Sequence, residues 1–322
     1  MRDFKRTGVR VALFAGLTAL MLAVLSFIMN PLRGLTAGEP PRAEKNPVSV
    51  MRQPPETLDY LVYGDSLSYA SVNPLQIFRD TGAAGYVCGG QGQDIFDIYW
   101  SLRQVLRRQS PRLVAIETHA LNNSGGLGRS ANRLVGSAAA AVFPVFRFHN
   151  MWRNALEPPE ADIPYYKGFQ LRPEITPYKG GDYRHFPGED PGLDPVDLLL
   201  LRRIAALCEK NGARVVLFSV ISPANYPESS TAAYAALAKK AGVEYWDMNP
   251  LWDEGLLDPA KDFFDGGDHV NYAGSKKLTA ALAEQFPRWA PLPDRRGEPG
   301  FEAWEAACGE FTLAADGTNA ED

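Results

Sequence analysis

The sequence predicts an α/β fold: a parallel sheet with helices packed on both of its faces. Three observations carry that expectation. Short apolar, strand-like runs alternate with longer amphipathic runs from about residue 58 to residue 286. Glycines stand where amphipathic runs must stop, as Gly212 and Gly242 do. The chain has 322 residues, 45% of them apolar, enough to cover a central sheet with a sizeable core.

The elements follow in order. Residues 58–63 (Leu-Asp-Tyr-Leu-Val-Tyr) read as the first strand. Asn73-Pro74 opens a short helix over 74–81, since asparagine caps and proline suits the first helical position. Residues 84–88 form the next strand. Ile95, Ile98, Tyr99, Leu102, Val105 and Leu106 recur at helical spacing, which predicts a helix over 94–109. Residues 112–117 are a buried strand, 195–211 a helix, 214–220 a strand, 229–241 a helix, 243–247 a strand and 271–285 the last helix of the domain. In such a fold the reactive groups sit beyond the C-terminal ends of the strands.

Flanking segments complete the organisation. Arg2, Lys5, Arg6 and Arg10 precede Val11 to Met29, nineteen residues without a charge. That length crosses a bilayer as a helix, and the basic flank keeps the N-terminus in the cytoplasm. An uncleaved anchor over 1–30 is favoured over a cleaved signal, because the apolar run is long and residues 33–38 make a poor cleavage site. Residues 31–57 read as a linker, 58–290 as the domain, and 291–322 as a C-terminal extension in which Phe301, Trp304 and Phe311 dock and 314–322 fray. Between 120 and 193 the βα pattern breaks into an insertion rich in aromatics and prolines. Such a stretch either shapes a substrate groove over the active face or serves as a structural cap. The net charge of −5 argues against a nucleic-acid binder. Cys88, Cys208 and Cys308 make no disulfide framework: at most one pair forms, and buried apolar roles suit Cys88 and Cys208. No Cys/His spacing suggests a metal site.

Two runs carry chemistry. Gly64-Asp65-Ser66-Leu67 follows the first strand, where a turn presents a serine at the sheet edge. About 200 residues later comes Asp265-Gly266-Gly267-Asp268-His269-Val270-Asn271-Tyr272-Ala273-Gly274. A serine hydroxyl is a weak nucleophile that needs a nearby general base, and the base needs an orienting group. Ser66 and His269 supply the first two. Alone, each run is weak: Gly-Asp-Ser-Leu occurs by chance, and Asp-His is commonly a surface or capping pair. Asp65 suits a structural turn, Asp247 a turn cap at a strand end, and Tyr69, Gln91 and Gln93 are candidate substrate contacts.

With these residues in place the chain resembles the SGNH/GDSL hydrolase superfamily over roughly 58–286, apart from the insertion. Gly64-Asp65-Ser66-Leu67 matches its nucleophile block, and His269 with Asn271 and Gly274 its C-terminal block. The anchor, the aromatic insertion and the Asp-His-Val-Asn run are similar to membrane-anchored envelope members, such as the D-alanyl transfer protein of teichoic-acid systems and exopolysaccharide acetyltransferase-like proteins. The resemblance implies a three-layer, flavodoxin-like α/β/α domain with Ser66 as nucleophile. It also implies that Gly89 or Gly90, in Cys88-Gly89-Gly90-Gln91-Gly92-Gln93, donates a backbone N–H to an oxyanion hole.

The chain departs from the family pattern twice. The third block, usually Gly-x-Asn-Asp, is Glu117-Thr118-His119-Ala120 here. His119 stands where the asparagine donor would be, either as a replacement donor or as a residue that holds the insertion. The orienting acid usually lies three residues before the histidine, where Gly266 stands. Asp265 is one residue too early and Asp268 is adjacent. Asp265 is favoured, because neighbouring side chains on an extended segment point apart.

The expected activity is O-acyl (acetyl) transfer through a seryl ester on an extracytoplasmic envelope polysaccharide, served by an integral membrane acyltransferase partner. No cofactor is required. A carbohydrate esterase and a non-catalytic, membrane-tethered glycan-binding protein are the alternatives.

Overall fold

A computed structural model of the chain describes residues 2–32, 42–122, 127–155, 165–184, 193 and 195–319. Parts of the expected linker (33–41), of the insertion (123–126, 156–164, 185–192 and 194) and of the C-terminal tail (320–322) lie outside the described residues. The elements in chain order are α1 (Arg2–Ile28), α2 (Arg42–Ser49), β1 (Tyr60–Tyr63), α3 (Ser66–Ser71), α4 (Pro74–Thr81), β2 (Gly85–Val87), α5 (Ile95–Val105) and β3 (Leu113–Glu117). There follow α6 (His119–Asn122), α7 (Leu127–Val142), α8 (Val145–Phe148), β4 (Tyr165–Tyr166), β5 (Phe169–Gln170), α9 (Pro195–Lys210), β6 (Arg214–Ser219), α10 (Glu228–Ala241), β7 (Glu244–Asp247), α11 (Tyr272–Trp289) and α12 (Glu302–Asn319).

The chain divides into two units, residues 1–41 with 131–162 and residues 42–130 with 163–322. In the smaller unit, residues 6–28 of α1 are long and apolar enough to cross a membrane. Leu13, Phe14, Leu17, Leu20 and Phe27 are all exposed along α1, as side chains in contact with lipid would be. Near the end of α1, Ser26 Oγ accepts the Val145 N–H of α8 at 3.1 Å.

The larger unit is built on a five-stranded parallel sheet in the order β2-β1-β3-β6-β7. Tyr60 pairs with both Gly85 and Leu113, and Leu113 pairs with Arg214. Every residue of β1 and β3 is buried, so these strands read as continuous apolar runs rather than alternating ones. The strand order reverses between β1 and β3, and the crevice at that switch point is where open α/β sheets bind ligands. Asn73 caps α4 as expected: its Oδ1 accepts the Leu75 and Gln76 N–H groups. Asp94 caps α5 in the same way, and Asp247 Oδ1 accepts the Asn249 N–H after β7.

Two expectations are corrected. The stretch read as linker is partly structured. Residues 42–52 form α2 and a following turn, and Val48, Val50 and Met51 bury their side chains in the larger unit. The Asn46 side chain donates to the Gly168 carbonyl, so apolar anchors within a polar composition decide the outcome. The tail read as frayed from residue 314 continues as α12 to Asn319. Phe311 meets the rings of Tyr166, Phe169 and Tyr272, and Ala315, one turn on, is buried on the same face. The three cysteines are free thiols, and Cys88 and Cys208 take the buried places expected of them. Burial raises both of these thiols, that of Cys208 to about 12.

Candidate active site

Ser66 is the first residue of α3, directly beyond the C-terminal end of β1. The turn that places it depends on Gly64, at φ +152°, where a Cβ would lie 2.7 Å from Glu117 Cβ and 2.8 Å from Ser68 Cβ. Asp65 caps α3, its Oδ1 accepting the Leu67 N–H at 3.0 Å. Such a cap is worth about 1 kcal/mol. The turn thus sets Ser66 on a helix start, where backbone N–H groups lack intrahelical acceptors.

His269 lies on the loop before α11. Its Nδ1 is 2.6 Å from Asp265 Oδ2, and Asp265 Oδ1 accepts the His269 backbone N–H at 2.7 Å. Gly266 and Gly267, at φ +83° and +114°, fold the chain back so that a carboxylate four residues upstream grips the ring. Asp268 Oδ2 lies farther from Nδ1, at 3.5 Å, and its Oδ1 accepts from Asn225 Nδ2 at 2.6 Å. Ser222 Oγ donates to the Asp268 carbonyl and the Ala224 N–H to that of Gly267, so the loop after β6 holds the histidine loop. Beyond the histidine, Asn271 caps α11 by accepting the Gly274 N–H at 3.1 Å.

Burial opposes charge on His269, but the Asp265 hydrogen bond and the Asp268 and Asp265 charges outweigh it and raise the pKa. Burial also works against ionised Asp265, and its hydrogen bonds from His269 overcome that and lower its pKa. His269 Nε2 is buried with no hydrogen-bond partner among the described residues. His269, Asp265 and Ser66 line one cavity of about 200 Å³ with Tyr69, Gln91, Gln170, Arg172 and Phe264. The Phe264 ring stacks on His269, 5.4 Å between centroids at 19°. Ligand atoms of Asp265, Asp268 and His269 fall within 4.8 Å of one another, a spacing that also suits a cation. Two of the three residues, however, are already joined by the Asp265–His269 hydrogen bond.

A second pair stands beside the nucleophile. His119 Nδ1 lies 2.5 Å from Asp65 Oδ2, joining the ends of β1 and β3. The His119 backbone N–H donates to Glu117 Oε2 at 3.0 Å, and the Tyr226 hydroxyl donates to Glu117 Oε1. Burial disfavours charge on His119, yet the Asp65 hydrogen bond and the Asp65 and Glu117 charges raise its pKa to about 9. Full burial, then the Asp65 charge, pushes Glu117 up to about 8. Thr118 Oγ1 joins the Ser219 and Tyr226 hydroxyls at 2.5 and 3.1 Å, which extends the polar cluster to β6.

The structure thus brings Ser66, His269 and Asp265 to one cavity, whereas Asp268 is not among its lining residues. Gly89, Gly90 and His119 are not among the lining residues. The Gly90 N–H donates to the Gly64 carbonyl at 3.3 Å, which takes it out of an oxyanion hole. The Gly89 N–H has no backbone acceptor among the described residues. His119 has only Nε2 left to offer, since Asp65 takes Nδ1. Tyr69 and Gln91, candidates from the sequence, do line the cavity, whereas Gln93 is buried and donates to the Cys88 carbonyl. Sequence reasoning missed Gln170, Arg172 and Phe264. The first two sit in the insertion without a motif. Phe264, adjacent to Asp265, was the one within reach of the argument.

The insertion falls in both units, 131–162 in the smaller, and 120–130 and 163–193 in the larger. In the larger unit it adds the β4–β5 hairpin and a segment from which Gln170 and Arg172 reach the cavity.

No protein-family model and no curated protein sequence matches the chain. Among solved structures, TesA is 18% identical with a TM-score of 0.39, over 71% of this chain and 98% of that one. A GDSL-like lipase from Bacteroides thetaiotaomicron is 14% identical at a TM-score of 0.37, over 71% and 88%. The acetyl xylan esterase AlAXEase is 12% identical at 0.39, over 70% and 98%. Likeness at this level carries no activity across, so the chemistry rests on the residues described above.

Proposed function

We propose that the protein is an SGNH-type serine enzyme that transfers acyl groups, acetyl foremost, to or from an envelope polysaccharide. The observation that carries the proposal is the Asp265–His269 pair in the same cavity as Ser66, with the second ring nitrogen of His269 buried and unpartnered among the described residues. In the proposed reaction His269 Nε2 takes the Ser66 proton and Ser66 Oγ attacks the ester carbonyl. The tetrahedral oxyanion is met by the Ser66 and Gly89 N–H groups, with His119 Nε2–H as a third donor. His269 returns the proton to the departing alcohol, which leaves an acyl-serine. A second alcohol, or water, then attacks with His269 as base. Asp265 holds Nδ1 protonated, keeps Nε2 free to accept, and stabilises the imidazolium.

Transfer to a glycan outside the cytoplasmic membrane is the finer part of the proposal. It is supported by α1, whose apolar run follows Arg2, Lys5, Arg6 and Arg10. That basic flank favours a cytoplasmic N-terminus and hence an extracytoplasmic catalytic unit. An integral membrane acyltransferase would supply the acyl group. Hydrolysis uses the same residues, and only the final acceptor differs.

A fluorophosphonate probe tests the core of the proposal. It is expected to label wild-type protein at Ser66 and to leave folded Ser66→Ala unlabelled. Wild-type protein that stays folded and unlabelled would instead point to a glycan-binding protein. Product analysis with an acetyl donor and added oligosaccharide, scoring acetylated sugar against free acetate, separates transferase from esterase.

A further inference from the structure

Arg172 brings a cation into the cavity that the proposed acyl chemistry does not use. It follows β5 on the insertion segment and lines the cavity that holds Ser66 and His269. A guanidinium carries five N–H donors in a fixed fork. Among the described residues its side chain meets one acceptor, Glu174 Oε1, at 3.4 Å. That contact is long, and the Glu174 side chain is 56% exposed, so it neutralises little. Arg172 Nε is buried with no hydrogen-bond partner among the described residues. The carboxylate in the cavity wall, Asp265, is already engaged by His269.

The guanidinium is also held in place. Its Cζ lies 5.2 Å from the centroid of the Phe264 ring, the ring that stacks on His269. Arg172 is anchored through its backbone too, its carbonyl accepting the Tyr272 N–H at 2.6 Å. The cation therefore stands one aromatic ring away from the general base. Gln91 and Gln170, with neutral amides that suit sugar hydroxyls, share the wall. The Arg172 side chain is 26% exposed, so the cavity opens part of its fork to solvent, and a half-buried cation short of partners gains when an anion arrives in matching geometry.

We infer that Arg172 is a specificity-determining residue that receives an anionic oxo group, a carboxylate or a phosphate, carried by the substrate beside the scissile acyl ester. The inference rests on the acyl-transfer reading of the same cavity and narrows it from glycans at large to acidic ones. Arginine suits this task better than lysine because its fork meets two oxygens at once.

The test has a binding arm and a turnover arm, both on the full chain. In the first, Ser66→Ala protein, with and without Arg172→Ala or Arg172→Lys, is titrated calorimetrically with an oligogalacturonate, a phosphorylated disaccharide and a neutral xylo-oligosaccharide. The acidic probe of the correct kind is expected to bind more tightly than the neutral one. Arg172→Ala should weaken it about 10- to 100-fold, as expected for a lost charge-assisted pair, and Arg172→Lys should weaken it less. The acidic probe that responds tells carboxylate from phosphate. In the second arm, acetylated forms of the same sugars are compared as substrates, and the acidic-to-neutral ratio of kcat/KM should fall about 10-fold or more in Arg172→Ala.

Equal binding of acidic and neutral probes, or a ratio unmoved by Arg172→Ala, would overturn the inference. Absence of turnover with all three esters would sink the acyl-transfer proposal instead, and the binding arm would still decide the role of Arg172. Circular dichroism confirms that each variant is folded.

Discussion

Among the described residues the larger unit holds two aspartate–histidine pairs of nearly the same geometry, Asp265–His269 at 2.6 Å and Asp65–His119 at 2.5 Å. Their surroundings separate them. Asp265 is 30% exposed, so solvent screens the charge it presents to His269, and His269 lines the cavity with its far nitrogen buried and unpartnered among the described residues. Asp65 is 4% exposed, and a second carboxylate, Glu117, lies behind His119 with no exposure at all. The Asp65 hydrogen bond and charge, joined by Glu117 once it ionises near pH 8, hold the His119 proton up to about pH 9. A histidine that keeps its proton at neutral pH cannot serve as a base, whereas it can serve as a fixed cationic donor. What teaches the difference is the setting of the pair: a cavity turns one histidine into a base, and a buried aspartate, with a second carboxyl behind the ring, makes the other a standing charge.

The largest effect that would break this comparison is on the bases themselves. His269→Ala is expected to lower kcat for a small acetyl ester by roughly 1,000-fold or more, as loss of a general base to an activated serine does. His119→Ala should cost less, on the order of 100-fold, the scale of one oxyanion donor. Equal losses would mean that the two histidines act as one unit. Steady-state kinetics on both variants reads this directly.

Next in size is the choice of acid. Asp265→Asn removes the group that fixes the His269 tautomer and is expected to lower kcat by about 100- to 10,000-fold. Asp268→Asn, whose oxygen stands at 3.5 Å and whose other oxygen serves Asn225, should change kcat by no more than about 5-fold. The reverse ranking would assign the acid to Asp268. Chelation with EDTA should leave Ser66 labelling unchanged. A loss restored by added divalent cation would make Asp265, Asp268 and His269 metal ligands instead.

The pH profile sharpens the contrast further. His269 must be neutral to accept a proton, and its pKa is raised, so kcat/KM should climb with pH through a value above 6.5. His119, faced by Asp65, Glu117, Tyr226 and more distantly Asp268, should lose its proton near pH 9, which gives a second, falling limb. His119→Gln keeps a neutral donor and is expected to flatten the falling limb while the rising one stays. A falling limb that survives in His119→Gln would belong to another group.

The sequence spoke most clearly where one local rule decides. Asn73-Pro74 capped and started α4, Gly242 stopped α10, and the apolar runs of β1 and β3 showed as strands. Ser66 was legible because the strand-turn-helix around it is local. The acid was harder. Its place depends on two glycines at positive φ, which shift a carboxylate from the usual spacing onto the ring. The surroundings of His119 were beyond reach, because Glu117 finds its partner in Tyr226, 109 residues away. Arg172 was equally hidden, since a lone arginine in an irregular segment has no period to betray which way it faces. Local backbone rules are written in adjacent residues, whereas the electrostatics of a site come from chain segments that meet only after folding.

The smallest expected effect falls on stability and bears on whether Glu117 holds the standing charge. Burial first, and then Asp65, raises Glu117 from 4.5 to about 8. His119 is raised from 6.5 to about 9, with its own burial opposing. A raised carboxyl contributes stability that is present below its unfolded value and is lost as pH rises through the folded one, and a raised histidine follows the same sign. Both groups therefore bind protons more tightly in the folded protein, and stability should fall as pH rises between about 5 and 9. The combined change is on the order of a few kcal/mol. Glu117→Gln keeps an acceptor for the His119 N–H and a partner for the Tyr226 hydroxyl but removes the titration. Its melting temperature should fall less steeply between pH 5 and 9 than that of the wild type. His119, relieved of one anion, should then lose its proton at a lower pH, moving the falling limb of the activity profile in the same direction. A variant that melts lower at every pH with an unmoved profile would make Glu117 a packing residue, and the charge on His119 would belong to Asp65 alone.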